Sequence, residues 1–189
     1  MRANLWRTRR LHRTPRTVVG YHGCSGETAE RILDGVRFVS SRRAYDWLGE
    51  GIYFWEYGPF RAYEWGERRF EAEAAVLEAT IQLGRCLNLL DIEHQAELRS
   101  AYDRVAQLAV AQGVELPRNR DDGRYYLDQF VVEFYCRIQE EERNLPLQTI
   151  RACFPEGEPV FPDSRILSHT HVQLAVRDDS CITRLRRVR

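Results

Sequence analysis

The chain has 189 residues, 43% hydrophobic and 30% charged, and a formal net charge of zero, which suits one globular domain. All 28 of its Lys/Arg positions are Arg, so amine chemistry is excluded: there is no lysine for a P-loop, for a kinase nucleotide site or for a Schiff base. The zero hides a division, because residues 1–17 hold six Arg and residues 184–189 four more, with no acid in either, whereas 18–183 sets 18 Arg against all 28 acids.

That division predicts a flexible basic arm at 1–17, a single domain over 18–183 and a basic C-terminal tail at 184–189. After the arm, Val18 and Val19 are followed within two residues by Tyr21-His22-Gly23. No apolar stretch of signal-peptide type is therefore expected, and no run reaches the ~18 residues of a membrane span. The five cysteines (Cys24, Cys86, Cys136, Cys153, Cys181) include no CxxC pair. The expectation is reduced thiols and a cytoplasmic location, not a disulfide framework or a zinc site.

Val18–His22 is the first predicted strand. Ser25 offers an N-cap to a helix over Glu27–Asp34, with Ala29, Ile32 and Leu33 as its apolar stripe and Gly35 as its stop. Val36–Val39 is a second short strand. A glycine-bearing loop, Asp46–Gly51, leads into an aromatic strand, Ile52–Trp55, whose side chains alternate between faces. Pro59 opens a helix running to about Glu71. Val76–Leu83 alternates as a strand, Gly84 breaks it, and Cys86–Leu90 continues. Helical spacing then takes over in two stretches, at Leu98–Gln112 and Leu127–Ile138, joined by a polar loop at 113–124. Thr149–Phe154 and His171–Arg177 are the last strands, separated by a Pro-rich loop. Strands outnumber what one parallel sheet needs, so the fold class is α+β.

Three fragments carry chemistry. The first is Tyr21-His22-Gly23, followed by Ile32-Leu33-Asp34-Gly35-Val36-Arg37-Phe38. The second is Gly51-Ile52-Tyr53-Phe54, followed by Arg61-Ala62-Tyr63. The third is Val172-Gln173-Leu174-Ala175-Val176. In this order they resemble the ADP-ribosyltransferase fold of the poly(ADP-ribose) polymerase and diphtheria-toxin type. That family reads YHG(S/T), a helix ending ILxxGxxF, a GxYF strand and a late strand bearing a catalytic acid. The resemblance covers roughly 18–70 and 165–183; the helical stretch at about 92–143 is an insertion without a counterpart.

The resemblance implies a split antiparallel sheet clamping NAD, the substrate, with no metal required. Gly23 would hold the nicotinamide carboxamide through its backbone, His22 would bond the adenosine ribose, and Tyr53 would stack on the nicotinamide ring. Opening the nicotinamide–ribose bond makes an oxocarbenium-like centre, which the protein must position and stabilise.

Two departures stand out. Aligned on Val176, Asp178 and Ile182, Gln173 takes the place where the family has Glu, giving a His22-Tyr53-Gln173 triad. A neutral amide bonds ribose hydroxyls but cannot act as a base, which argues for mono-ADP-ribosylation rather than chain elongation. Arg61 takes a small-hydroxyl position and Glu64 the second stacking aromatic, with Tyr63 and Trp65 beside it as substitutes. Glu156 or Glu158, in the loop where the family keeps target-recognition residues, could supply the missing carboxylate, and His171 stands where relatives contact the acceptor. His169 and His171 form an H-x-H pair without matching Cys or acid spacing, so no metal is expected.

The expected function is an NAD-dependent mono-ADP-ribosyltransferase acting on a macromolecular acceptor, protein or nucleic acid, of a bacterial toxin or defence-effector kind that admits a cognate antitoxin as partner. The alternatives are an NAD glycohydrolase, a non-catalytic NAD- or ADP-ribose-binding module and, more weakly, RNA 2′-phosphotransfer. No membrane partner is expected.

Overall fold

The computed structural model describes residues 16–189; the predicted arm at 1–17 falls almost wholly outside them. The fold is α+β, a seven-stranded sheet with four helices. Strand β1 (Thr17–Ser25) pairs along its whole length with β3 (Ala74–Gln82), Thr17 opposite Gln82 and Ser25 opposite Ala74. The remaining strands are β2 (Ile52–Glu56), β4 (Cys86–Asn88), β5 (Thr149–Phe154), β6 (His171–Val176) and β7 (Ile182–Arg187), in the spatial order β4-β5-β6-β2-β1-β3-β7. Every pairing is antiparallel except β4 with β5. The sheet is therefore mixed, which corrects the expectation of a wholly antiparallel core.

Local chemistry accounts for most boundaries. Ser25 caps α1 (Gly26–Leu33) by accepting from the Thr28 amide at 3.2 Å, and Gly35 takes φ +97° just beyond it, a conformation that suits glycine. Pro59 opens α2 (Pro59–Phe70). Asp91 caps α3 (Ile92–Gln112), which Gly113 ends in the left-handed conformation. α4 (Tyr126–Arg137) runs into a π turn at Ile138–Glu142.

Two expectations fail. Val36–Val39 is not a strand: no partner lies alongside, Val39 is exposed, and only Phe38 turns inward, onto the core. The last residues are not a free tail. β7 pairs with β3, Leu77 opposite Arg187; Leu185 packs on the core, Val188 N–H donates to the Val76 carbonyl, and Val76 N–H donates to the Arg189 carbonyl. Ile182 and Leu185 supply apolar contact in this basic stretch, and Arg186 pairs with Glu78 at 2.6 Å. The Arg-rich composition there belongs to an edge strand, where charge blocks unwanted sheet extension.

Directly opposed strand residues share a face, which fixes where the layers lie. Ile52, Phe54, Leu174 and Val176 build the core on one face together with Val18, Ile81 and Leu83. Ala175, Ile150 and Ala152 face the other way, against Ala101 of α3 and Val132 and Tyr135 of α4. On that second face α2 covers the other half of the sheet, with Ala62 packed on Trp55 and Val76. Between α2 and the α3–α4 pair the sheet lies uncovered, and the gap is the cavity described next.

Candidate functional site

β1 and β2 pair at only two positions, Gly20 with Glu56 and Tyr21 with Trp55. Beyond Tyr21 the strands diverge, so backbone groups lose their ladder partners and must find others. His22 fills the opening: its Nδ1–H donates to the Tyr53 carbonyl oxygen at 2.9 Å. This bond leaves Nε2 as the acceptor nitrogen of a neutral ring. The imidazole lies 5.3 Å from the Phe38 ring and 5.5 Å from the Phe54 ring. Burial there holds its pKa below the ordinary 6.5 despite the bond to Tyr53, which works the other way.

Tyr53 and Gln173 lie on adjacent strands and line the same cavity, which has a volume of about 650 Å³, within the range of small-molecule sites. The Tyr53 hydroxyl donates to the Gly49 carbonyl at 2.8 Å and accepts from the Leu48 amide at 3.1 Å. It is thus committed to the 46–51 loop, which leaves the ring as the part offered to a ligand, and burial raises its pKa far beyond neutrality. Gln173 is flanked in register by Trp55 and Ala152.

Gly23 also lines the cavity, but its lack of a side chain has a nearer cause. A Cβ there would run into the Ala62 carbonyl oxygen and come within 3.3 Å of the Gly66 amide nitrogen. Helix α2 therefore lies flat on β1 through Gly23, Ala62 and Gly66. The demand for glycine at this position comes from helix packing.

Arg61 reaches the cavity from α2 and is already engaged, with Nη1 on Glu64 at 2.7 Å and Nη2 on Glu156 at 2.8 Å. It straps the helix to the Pro-rich loop. Glu156 lines the cavity; Glu158, two residues on, is not among the lining residues. Tyr63 is also absent from the lining. Its hydroxyl bonds Glu67 at 2.9 Å and its ring is covered by the Arg189 guanidinium at 3.7 Å. Residues two apart on a helix point about 200° apart, so Trp65, four after Arg61, faces the cavity in its place. His171 lines the cavity beside Gln173 with its Nδ1–H donating to the His169 carbonyl at 2.7 Å. Arg177, which alternation also aims at the cleft, instead pairs with Glu133 of α4 at 2.7 Å.

The sequence reasoning missed one whole wall. Trp47 stacks edge-on against Tyr125 and Phe154, with centroids 3.8 and 3.7 Å away, so the helical insertion closes the cavity through Gly123 and Tyr125. Tyr125-Tyr126 following Asp-Gly-Arg was the available signal. Arg42, Arg43, Arg61 and Arg68 line the cavity against Asp46 and Glu156. It is a cationic recess in an otherwise acidic body, and such a recess concentrates anions. Among the described residues no three His, Cys, Asp or Glu side chains gather as a metal site, and no helix is long and apolar enough to cross a membrane.

No family model and no solved structure matches the chain. Among curated proteins it is similar to an uncharacterized protein of Methanocaldococcus jannaschii, 27% identical over 143 residues that span 71% of this chain and 64% of the relative. The chain thus spans less than two thirds of that relative's length.

Proposed function

We propose that this protein is an NAD-dependent mono-ADP-ribosyltransferase. The observation that carries the reading is convergence: His22, Tyr53 and Gln173, far apart in sequence, border one cavity. Its wall chemistry suits the substrate independently of the motifs. Aromatic faces match a ligand with flat heterocycles, and the excess of arginine over acid suits a pyrophosphate.

In this reading His22 Nε2 accepts from a ribose hydroxyl, and the Tyr53 ring stacks on nicotinamide. The Gln173 amide oxygen accepts from ribose hydroxyls and turns its dipole toward the developing positive charge. The nicotinamide–ribose bond breaks with its electron pair passing to the nicotinamide nitrogen. Gln173 carries no charge, so the charge stabilisation it lends is weaker than a carboxylate's, and turnover is slow. The test is incubation with NAD labelled in the adenylate, following nicotinamide release and label transfer to separate pools of protein, RNA and DNA. Wild type releases nicotinamide and labels one pool; His22→Ala and Tyr53→Ala abolish both. Unchanged activity in those variants sinks the assignment.

The amide at 173 also favours a second reading, a non-catalytic module that binds NAD or ADP-ribose. Calorimetric binding without turnover selects it, and turnover raised by Gln173→Glu selects the first reading. Nicotinamide release with no labelled pool would mark an NAD glycohydrolase.

A further inference from the structure

Transfer to a hydroxyl releases a proton, and Gln173 cannot take it. The cavity wall holds four other side chains able to accept one: His22, Asp46, Glu156 and His171. His22 lies in the β1–β2 opening between two phenylalanine rings. Asp46 is committed to its own loop, accepting from the Arg43 amide at 2.9 Å. Glu156 is held by Arg61 at 2.8 Å. His171 shares the spent Nδ1–H of His22 and stands apart from all three by its place on the Gln173 strand. It is two residues from Gln173 on the same strand and lines the same cavity, and its Nδ1–H is spent on the His169 carbonyl. Its Nε2 is therefore a fixed, neutral acceptor, and its side chain is only 7% exposed.

Resting on the transferase reading, we propose that His171 is the general base of the acceptor step, and that the acceptor is a neutral hydroxyl rather than a carboxylate. The acceptor oxygen forms its bond to the ribosyl carbon as the bond to nicotinamide breaks. The hydroxyl proton passes to His171 Nε2, and the imidazolium returns it to bulk water. A carboxylate acceptor has no proton to lose and would make this histidine idle.

The surroundings suit the role. The Phe154 ring of β5 lies 5.9 Å away, Glu156 Oε2 is 3.6 Å from Nδ1, and Arg61 of α2 holds that carboxylate. His169, on the same loop, lies 3.8 Å from Glu64. Burial above all keeps the His171 pKa below the ordinary 6.5, outweighing the bond to the His169 carbonyl and the Glu156 carboxylate, which pull the other way, so the base form prevails at neutral pH.

The test uses small nucleophiles of opposite kind. Wild type and His171→Gln are supplied with NAD in buffered methanol, and separately with azide, an anion with no proton to lose. In His171→Gln the methyl ADP-ribose product forms about a hundredfold more slowly, while the azide adduct forms at the wild-type rate. In wild type the methanol reaction falls on acidification below the ordinary imidazole range, and the substitution removes that dependence. Equal methanol rates and pH profiles in the two proteins overturn the assignment, and so does a loss of both products together, which marks a structural role. A wild-type protein that does not cleave NAD, whether or not it binds it, overturns the transferase reading, and this one with it.

Discussion

The cavity has a floor and a rim, and the two are held by different forces. The floor consists of Gly23, Tyr53 and Gln173 on paired strands, backed by residues of no measurable exposure such as Phe54, Leu174 and Ala175. The rim consists of Arg61, Glu156 and neighbouring loops, joined by ion pairs whose carboxylates are 40–48% exposed. Close packing admits almost no adjustment, whereas exposed ion pairs contribute little and yield to salt. Floor substitutions therefore cost stability and geometry together, and rim substitutions alter the charge of the cavity at small cost to the fold.

The largest effect falls on the floor. Gly23→Ala sets a methyl against the Ala62 carbonyl; backbone on both sides leaves nothing flexible to give way. The expected loss is about 3 kcal/mol or more, read as a lower urea midpoint. Gly26→Ala, where the nearest atom would lie 3.6 Å away, is the control and shifts the midpoint little. If Gly23→Ala matches it, the flat seating of α2 on β1 is not a constraint.

Tyr53→Phe separates ring from hydroxyl. The ring stays, but the Leu48 amide and Gly49 carbonyl lose their partner, at a cost of roughly 1–3 kcal/mol. The 46–51 loop should become the first site of proteolytic cleavage, and NAD affinity should weaken less than in Tyr53→Ala. Loss of affinity equal to that of Tyr53→Ala would show that the ring alone is not what a ligand contacts.

The same contrast governs what could be read from sequence. The floor was legible because it rests on short-range signals: His22-Gly23, the aromatic alternation of Ile52–Trp55 and the alternation around Gln173 each report a strand position. The strand predicted at Val36–Val39 failed because strand propensity cannot supply a pairing partner. The tail predicted at 184–189 failed because Ile182 and Leu185, three apart, break strand alternation; a register shift between β3 and β7 brings both to the core. The rim was poorly legible because it is assembled by contacts across long separations. Arg61 meets Glu156 at 95 residues' distance, and Trp47 meets Tyr125 only through the packing of the insertion on β5. Neither contact leaves a periodic trace. Tyr63 and Trp65 both flank Glu64, so sequence alone does not separate them; helix geometry decides for Trp65 once it is known that Arg61 faces the cavity.

Acid exposes a third difference. His22 and His171 both have pKa values lowered by burial, so below the ordinary 6.5 the unfolded chain binds more protons than the folded one. The stability they lend is present above that value and is lost as pH falls through their folded values. Urea midpoints should therefore hold from pH 8 to 7 and drop toward pH 5, and His22→Gln should flatten part of the drop. An equal slope in that variant would mean that folding leaves the His22 pKa where it stands in the unfolded chain.

The smallest effect belongs to the rim. Glu156→Gln removes one end of the Arg61 strap but leaves Glu64 on the other nitrogen at 2.7 Å. With the carboxylate half exposed, stability should change by about 1 kcal/mol or less. The wall then carries four arginines against Asp46 alone, so an anionic dinucleotide should bind more tightly at low salt, and the gain should shrink as salt rises, because added ions screen charges over about 10 Å at 0.1 M. Quenching of the cavity tryptophans on titration with NAD at two ionic strengths reads both. A stability loss as large as that of Gly23→Ala would erase the distinction between floor and rim, since it would make the Arg61 strap as much a part of the packed fold as the strands beneath it.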